Sequence, residues 1–254
     1  EYDEALLCLD RAKIIFQEIG DFGEVCEVLL LKGYLLKSVN DIPGLIKLAE
    51  EYRELSASRQ LGSKELIHLR LLEIFENSSD FTTTLESLLK IKEEYFNYGE
   101  FNHFQKVTLI LCEYLIANKK INLAQDVIKS EDFVDTIQDT PYFKAYERFL
   151  SGKISYEMKD DSLKSNLEYY EEAYSILHDC SITELTWRNI GALAEAYMDR
   201  GNINKAIEYI HLTKSLLNHI SMNIKDIRLR SLYLSAPERK STIEKLNIWE
   251  SFIK

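Results

Sequence analysis

Five histidines, four cysteines and several pairs of adjacent acids are the residues of this 254-residue chain whose types could support catalysis or metal binding. The histidines are His68, His103, His178, His211 and His219, and only His211 and His219 share one helical stretch, eight residues apart. A zinc site would ask for His-Glu-x-x-His or Cys-x-x-Cys, and neither spacing occurs. The histidines therefore read as solvated or capping residues. Cys8, Cys26, Cys112 and Cys180 lie far apart on apolar helical faces and read as reduced core thiols of a cytoplasmic protein. Glu93-Glu94, Glu171-Glu172 and Asp160-Asp161 do not make an acid–base pair, because neighbouring residues on a helix point in different directions. Gly20 and Gly23 form neither a dinucleotide fingerprint nor a phosphate loop and suit a turn between helices. No catalytic residue, metal site or cofactor is expected from these patterns, and the chain reads as non-enzymatic.

The elements that would carry these residues are helices. Hydrophobic residues make up 46% of the chain and charged residues 29%, enough for a sizeable core, while 3 prolines and 9 glycines leave long stretches unbroken. The net charge of -11 argues against a nucleic-acid backbone as partner, since phosphate binding needs concentrated Lys and Arg. No run of about 18 apolar residues points to a membrane span. Glu1 to Glu4 are acidic and polar and do not resemble a signal peptide.

Residues 187 to 213 carry a particular alternation of small and large apolar side chains. Trp187, Ile190, Leu193, Ala194 and Tyr197 precede a turn at Gly201-Asn202-Ile203, and Ala206, Ile210 and Thr213 follow it. Positions matching Ala206 recur at Ala5, Leu45, Thr84, Ala124 and Asn166, at intervals of 39 to 42 residues. Three residues before each anchor stands an apolar residue: Tyr2, Ile42, Phe81, Ile121, Leu163 or Ile203. A polar residue precedes it at Asp41, Asp80, Lys120, Ser162 and Asn202, as at a helix N-terminus. Small residues occupy one place in the first helix of most units, at Gly33, Cys112, Gly152 and Ala194, with Leu72 as the exception. Glu131 to Thr140 reads as a loop or loose turn, and Pro141 as the first residue of the next helix.

This pattern resembles the tetratricopeptide (TPR) repeat, with units near 40 residues in place of the usual 34 or so. The resemblance implies an all-α fold, a right-handed superhelical solenoid of antiparallel helix pairs. Residues 1–222 would form one truncated helix plus five helix pairs. Residues 223–254 would form a C-terminal helical cap, split at Pro237, or the start of a following segment. The chain is expected to begin within a repeat, as an excerpt of something longer.

In TPR arrays the inner wall is lined from set places of each first helix. Carried onto this chain, those places give Tyr34, Lys106, Glu113, Tyr146, Phe149, Lys153, Tyr156, Arg188 and Glu195 as candidate partner-binding residues. Tyr146, Phe149 and Tyr156 form the sharpest group, because aromatic side chains are enriched in interface cores, although ordinary packing would also explain them. The expected partner is a protein or peptide in a concave groove, or neighbouring domains of the same full-length chain, with no nucleic acid and no membrane. The long units resemble helical arrays of multidomain bacterial regulators, which implies a sensor or scaffold. A static assembly adaptor and a helical-repeat enzyme domain are the alternatives.

Overall fold

The computed structural model describes residues 2–76, 80–137, 140–159, 165–180 and 184–253. These residues form fourteen helices, with no strand among them. The first eight are α1 (Tyr2–Ile19), α2 (Phe22–Ser38), α3 (Ile42–Ser58), α4 (Ser63–Glu76), α5 (Phe81–Asn97), α6 (Phe101–Ala117), α7 (Ile121–Ile128) and α8 (Glu131–Ile137). The remaining six are α9 (Pro141–Met158), α10 (Asn166–His178), α11 (Glu184–Asp199), α12 (Ile203–Asn223), α13 (Ile227–Ser235) and α14 (Pro237–Ile253). Among the described residues no helix is long and apolar enough to cross a membrane.

One turn chemistry recurs between helices. Gly20, Asn40, Lys119 and Gly201 all have positive φ, and each ends a helix. At each, the next amide donates to the carbonyl five residues back: Asp21 to Phe16, Asp41 to Leu36, Lys120 to Leu115 and Asn202 to Tyr197. This is the Schellman arrangement, which satisfies carbonyls that the helix end would otherwise leave open. The following helix starts at once, capped by Asp21, by Asp41, or by Asn202, which accepts from Lys205 N–H. The sequence marks these turns with glycine or asparagine, except at Lys119, where a lysine takes the left-handed conformation.

Helix entries follow the polar-then-apolar signal at Ile42, Phe81, Ile121 and Ile203. The exception is α10. The expected entry at Ser162-Leu163 lies outside the described residues, and α10 starts at Asn166, where Ser165 and Glu168 cap each other reciprocally. Residues 131–137 are a short helix, α8, and not the expected loop, because Phe133 and Ile137 bury themselves in the core. Pro141 opens α9 as expected, and Pro237 divides α13 from α14.

Two compact units divide the chain: Glu1–Tyr98 with Asn218–Ser241, and Gly99–Leu217 with Thr242–Lys254. In the first, Leu29, Leu45, Tyr52, Ile67, Leu71 and Tyr95 are fully buried, each aliphatic contributing about 1.5–3 kcal/mol. Tyr52 keeps its phenol satisfied by donating to the Glu65 carbonyl at 2.7 Å. Leu72, the departure from the small-residue pattern, fills the space a side chain at Gly33 would need. The bulk of Leu72 on α4 thus answers the glycine on α2. His68 is buried against the Tyr95 ring and 3.8 Å from Glu27, and His103 in the second unit is also buried, so neither is the solvated histidine expected. Cys26 and Cys112 are core thiols, but Cys8 is exposed, because α1 has no fully buried residue.

In the second unit, Trp187, Phe149, Phe104 and Phe133 are the largest fully buried side chains among the described residues. Gly152 lets the Tyr170 ring of α10 lie directly against the backbone of α9. Leu246 and Trp249 of α14 pack on Ala194, Met198, Tyr209 and Ile210 of α11 and α12.

Candidate functional site

Eight of the nine sequence-selected residues lie on α6, α9 and α11 of the second unit. On α9, Tyr142, Tyr146, Phe149, Lys153 and Tyr156 follow at intervals of three and four, so one face of the helix carries them all. Rings run along this face from Tyr142 to Tyr146 (6.1 Å between centroids), to Phe149 (6.3 Å) and across to Tyr170 of α10 (6.0 Å).

Arg188 joins the three helices. One guanidinium nitrogen donates to Tyr146 Oη at 3.0 Å, and the other pairs with the Glu113 carboxylate, 75 residues away in sequence. The guanidinium also lies over Phe149, 5.1 Å from its ring centre, and the Lys153 ammonium sits 4.8 Å from the same ring. The Arg188 side chain is 13% exposed and Phe149 1%, so the centre of this set is packed, whereas Tyr156 at the end of α9 is 44% exposed.

Burial alone would raise the Glu113 carboxyl. The Arg188 charge, hydrogen bonds from Tyr146 and Arg188, and the Lys153 charge outweigh that and hold it below the ordinary carboxylate range. Burial pushes the Tyr146 phenol well above its usual value, and the Glu113 charge adds to it. Near neutrality Glu113 is therefore a fixed anion and Tyr146 a fixed hydrogen-bond donor. Such a set can hold charge and position rings; neither group is poised to exchange a proton.

The other predicted residues are placed differently. Glu195 pairs with Lys245 of α14, whose ammonium lies 5.0 Å from the Trp249 ring centre. The negative charges of Asp199 and Glu195 raise the Tyr156 phenol, marking an acidic neighbourhood around the exposed ring. Lys106 is half-buried on α6. Tyr34 belongs to the first unit, where it packs on Phe75 at 5.4 Å, with Lys37 over the same ring at 4.1 Å. Burial raises its phenol far above the usual value.

Sequence reasoning missed Tyr142 and Lys245. Tyr142 lies one turn before Tyr146 and was legible from that spacing. Lys245 is supplied by the C-terminal helix, and no repeat position points to it. No family model matches the sequence, and no curated protein matches it.

Proposed function

We propose that this chain is a non-catalytic scaffold or sensor that binds a protein or peptide partner, built as a right-handed TPR-like solenoid. Its binding surface would be the wall made by α6, α9 and α11. One observation carries the reading. Glu113, Tyr146, Phe149, Lys153 and Arg188 were chosen from repeat places alone, and they meet in three dimensions across α6, α9 and α11. The four Schellman turns support the same repeat architecture.

Within this wall the labour divides. Glu113, Phe149 and Arg188 are satisfied by one another and set the geometry. Tyr156, with Lys153 one turn before it, forms the accessible rim that a partner would touch first. A neighbouring domain of the full-length chain would meet the same rim. The free thiols, one of them exposed at Cys8, suit a reducing cytoplasmic setting.

A pull-down from the source cell with the parent chain and with Lys153→Glu combined with Tyr156→Ala tests the reading. Circular dichroism would verify that the variant is folded. Loss of captured proteins from the folded variant is expected. Capture at the parental level would leave these residues as packing and sink the proposal.

A further inference from the structure

Helix α13 has only nine residues, too few for a helix to persist in water on its own. Tertiary contacts within the first unit must therefore hold it. Leu229 and Tyr233 bury themselves with Val39 and Ile224, against Tyr2, Leu6 and Ile220. The Asp3 carboxylate accepts from the amides of Lys225 (2.7 Å) and Asp226 (3.2 Å), just before the helix. Arg239 donates to the carbonyls of Tyr233 and Ser38. The strongest polar contact is a fork: Arg228 donates through both terminal nitrogens to Asp41, at 2.9 and 2.8 Å.

The two sides of that fork are unequal. Asp41 is 1% exposed and also caps α3, accepting from Gly44 N–H at 3.1 Å, whereas the Arg228 side chain is 60% exposed. Withdrawal of Arg228 returns its charge to water and leaves Asp41 still hydrogen-bonded to α3, so separation does not strand a wholly unsatisfied buried ion. The contact also has something to cover. A cleft of about 270 Å³ lies among α1, α2 and α3, with Leu6, Leu36 and Leu48 in its lining, and Arg228 and Leu229 complete it from α13. Its charged lining is balanced between acids and bases, with Asp10 paired to Lys32 beside it.

We propose that residues 224–236 are a strap that closes over this cleft, with Asp41–Arg228 as its catch, so that the strap opens locally without unfolding the unit. The charges facing the catch are Lys47 on α3 and Asp226, which caps α13, and Lys225 with Glu4 makes a flanking exposed pair.

Hydrogen exchange read by mass spectrometry tests this on the whole chain. Arg228→Ala should speed exchange of amides 226–236 about tenfold, while α2, α4 and α5 of the same unit keep parental rates. Ile227→Ala is the matched control, since Ile227 is 81% exposed and should change nothing. The unmodified chain in about 1 M salt should show the same selective loosening by screening, which needs no variant to fold. Unchanged strap rates in Arg228→Ala, equal acceleration by Ile227→Ala, no salt effect, or loosening of α2, α4 and α5 in step with the strap would each overturn the proposal.

Discussion

Gly152 offers a prediction whose sign can be worked out from the packing. A Cβ placed there would lie 2.7 Å from Cδ1 and 3.0 Å from Cζ of Tyr170, against about 3.5–4.0 Å for relaxed carbon contacts. The ring would have to retreat by about 1 Å. It has little room, because Tyr170 is 4% exposed, abuts Phe149, and its own carbonyl accepts from Asn189 Nδ2 at 3.0 Å. Overpacking of this kind costs about 1–3 kcal/mol. Replacing glycine by alanine inside a helix returns about 0.8–1 kcal/mol. With the ring hemmed in, the cost falls in the upper part of that range, about 2–3 kcal/mol, so Gly152→Ala should be destabilising by about 1–2 kcal/mol net.

Gly191 is the internal comparison. Its nearest neighbour would be Thr213 Cγ2 at 3.6 Å, an ordinary contact, so Gly191→Ala should be neutral or stabilising by up to about 1 kcal/mol. Urea denaturation followed by circular dichroism, with the parent and both variants side by side, measures the two shifts. A Gly152→Ala variant as stable as the parent, or a Gly191→Ala variant that loses stability, would refute the close-crossing account. Restored stability in Gly152→Ala with Tyr170→Leu would identify the ring as the obstacle.

Two further predictions concern buried ionisable groups. Glu113 is held below its unfolded pKa, so its contribution is fully present above the unfolded value near pH 4 and is lost as pH falls through the lower folded value. Glu113→Gln should cost about 1–3 kcal/mol at pH 7 by leaving Arg188 without its anion, and the gap from the parent should narrow toward pH 2–3; a gap constant between pH 7 and pH 2.5 in urea titrations contradicts this. Burial pushes the Cys26 thiol up to about 11, with the neighbouring Tyr52 phenol offsetting part of the rise. In native protein at pH 8, a maleimide should modify exposed Cys8 quickly and Cys26 and Cys112 only as the chain opens, and peptide mapping that finds Cys26 labelled as fast as Cys8 would argue against the packing described.

Much of the local structure was legible in the residues. Asp41, Asp80 and Asn202 announce helix starts, Gly20 and Gly201 announce left-handed turns, and Pro141 and Pro237 fall at first helical positions, because each signal acts through its own backbone. Local rules failed where burial decided. Residues 131–137 look polar and loop-like in one dimension, but two apolar side chains dock and the backbone follows as α8. His68 looks like a surface histidine until Tyr95 packs on it. Of the site, repeat counting placed Glu113, Tyr146, Phe149, Lys153 and Arg188 on comparable faces, yet it could not say that Arg188 would reach past Phe149 to Glu113.

By itself the sequence determined an all-helical fold and the positions of most helix ends among the described residues. These follow from caps, turns and apolar spacing that act over a few residues. Tertiary structure alone decided that Leu72 would fill the space at Gly33, that Arg188 would pair across 75 residues, and that Arg228 would close onto Asp41 across 187. Such choices depend on which surfaces meet once helices pack, and a charge or a methyl group carries no mark in the sequence of the distant partner that will satisfy it.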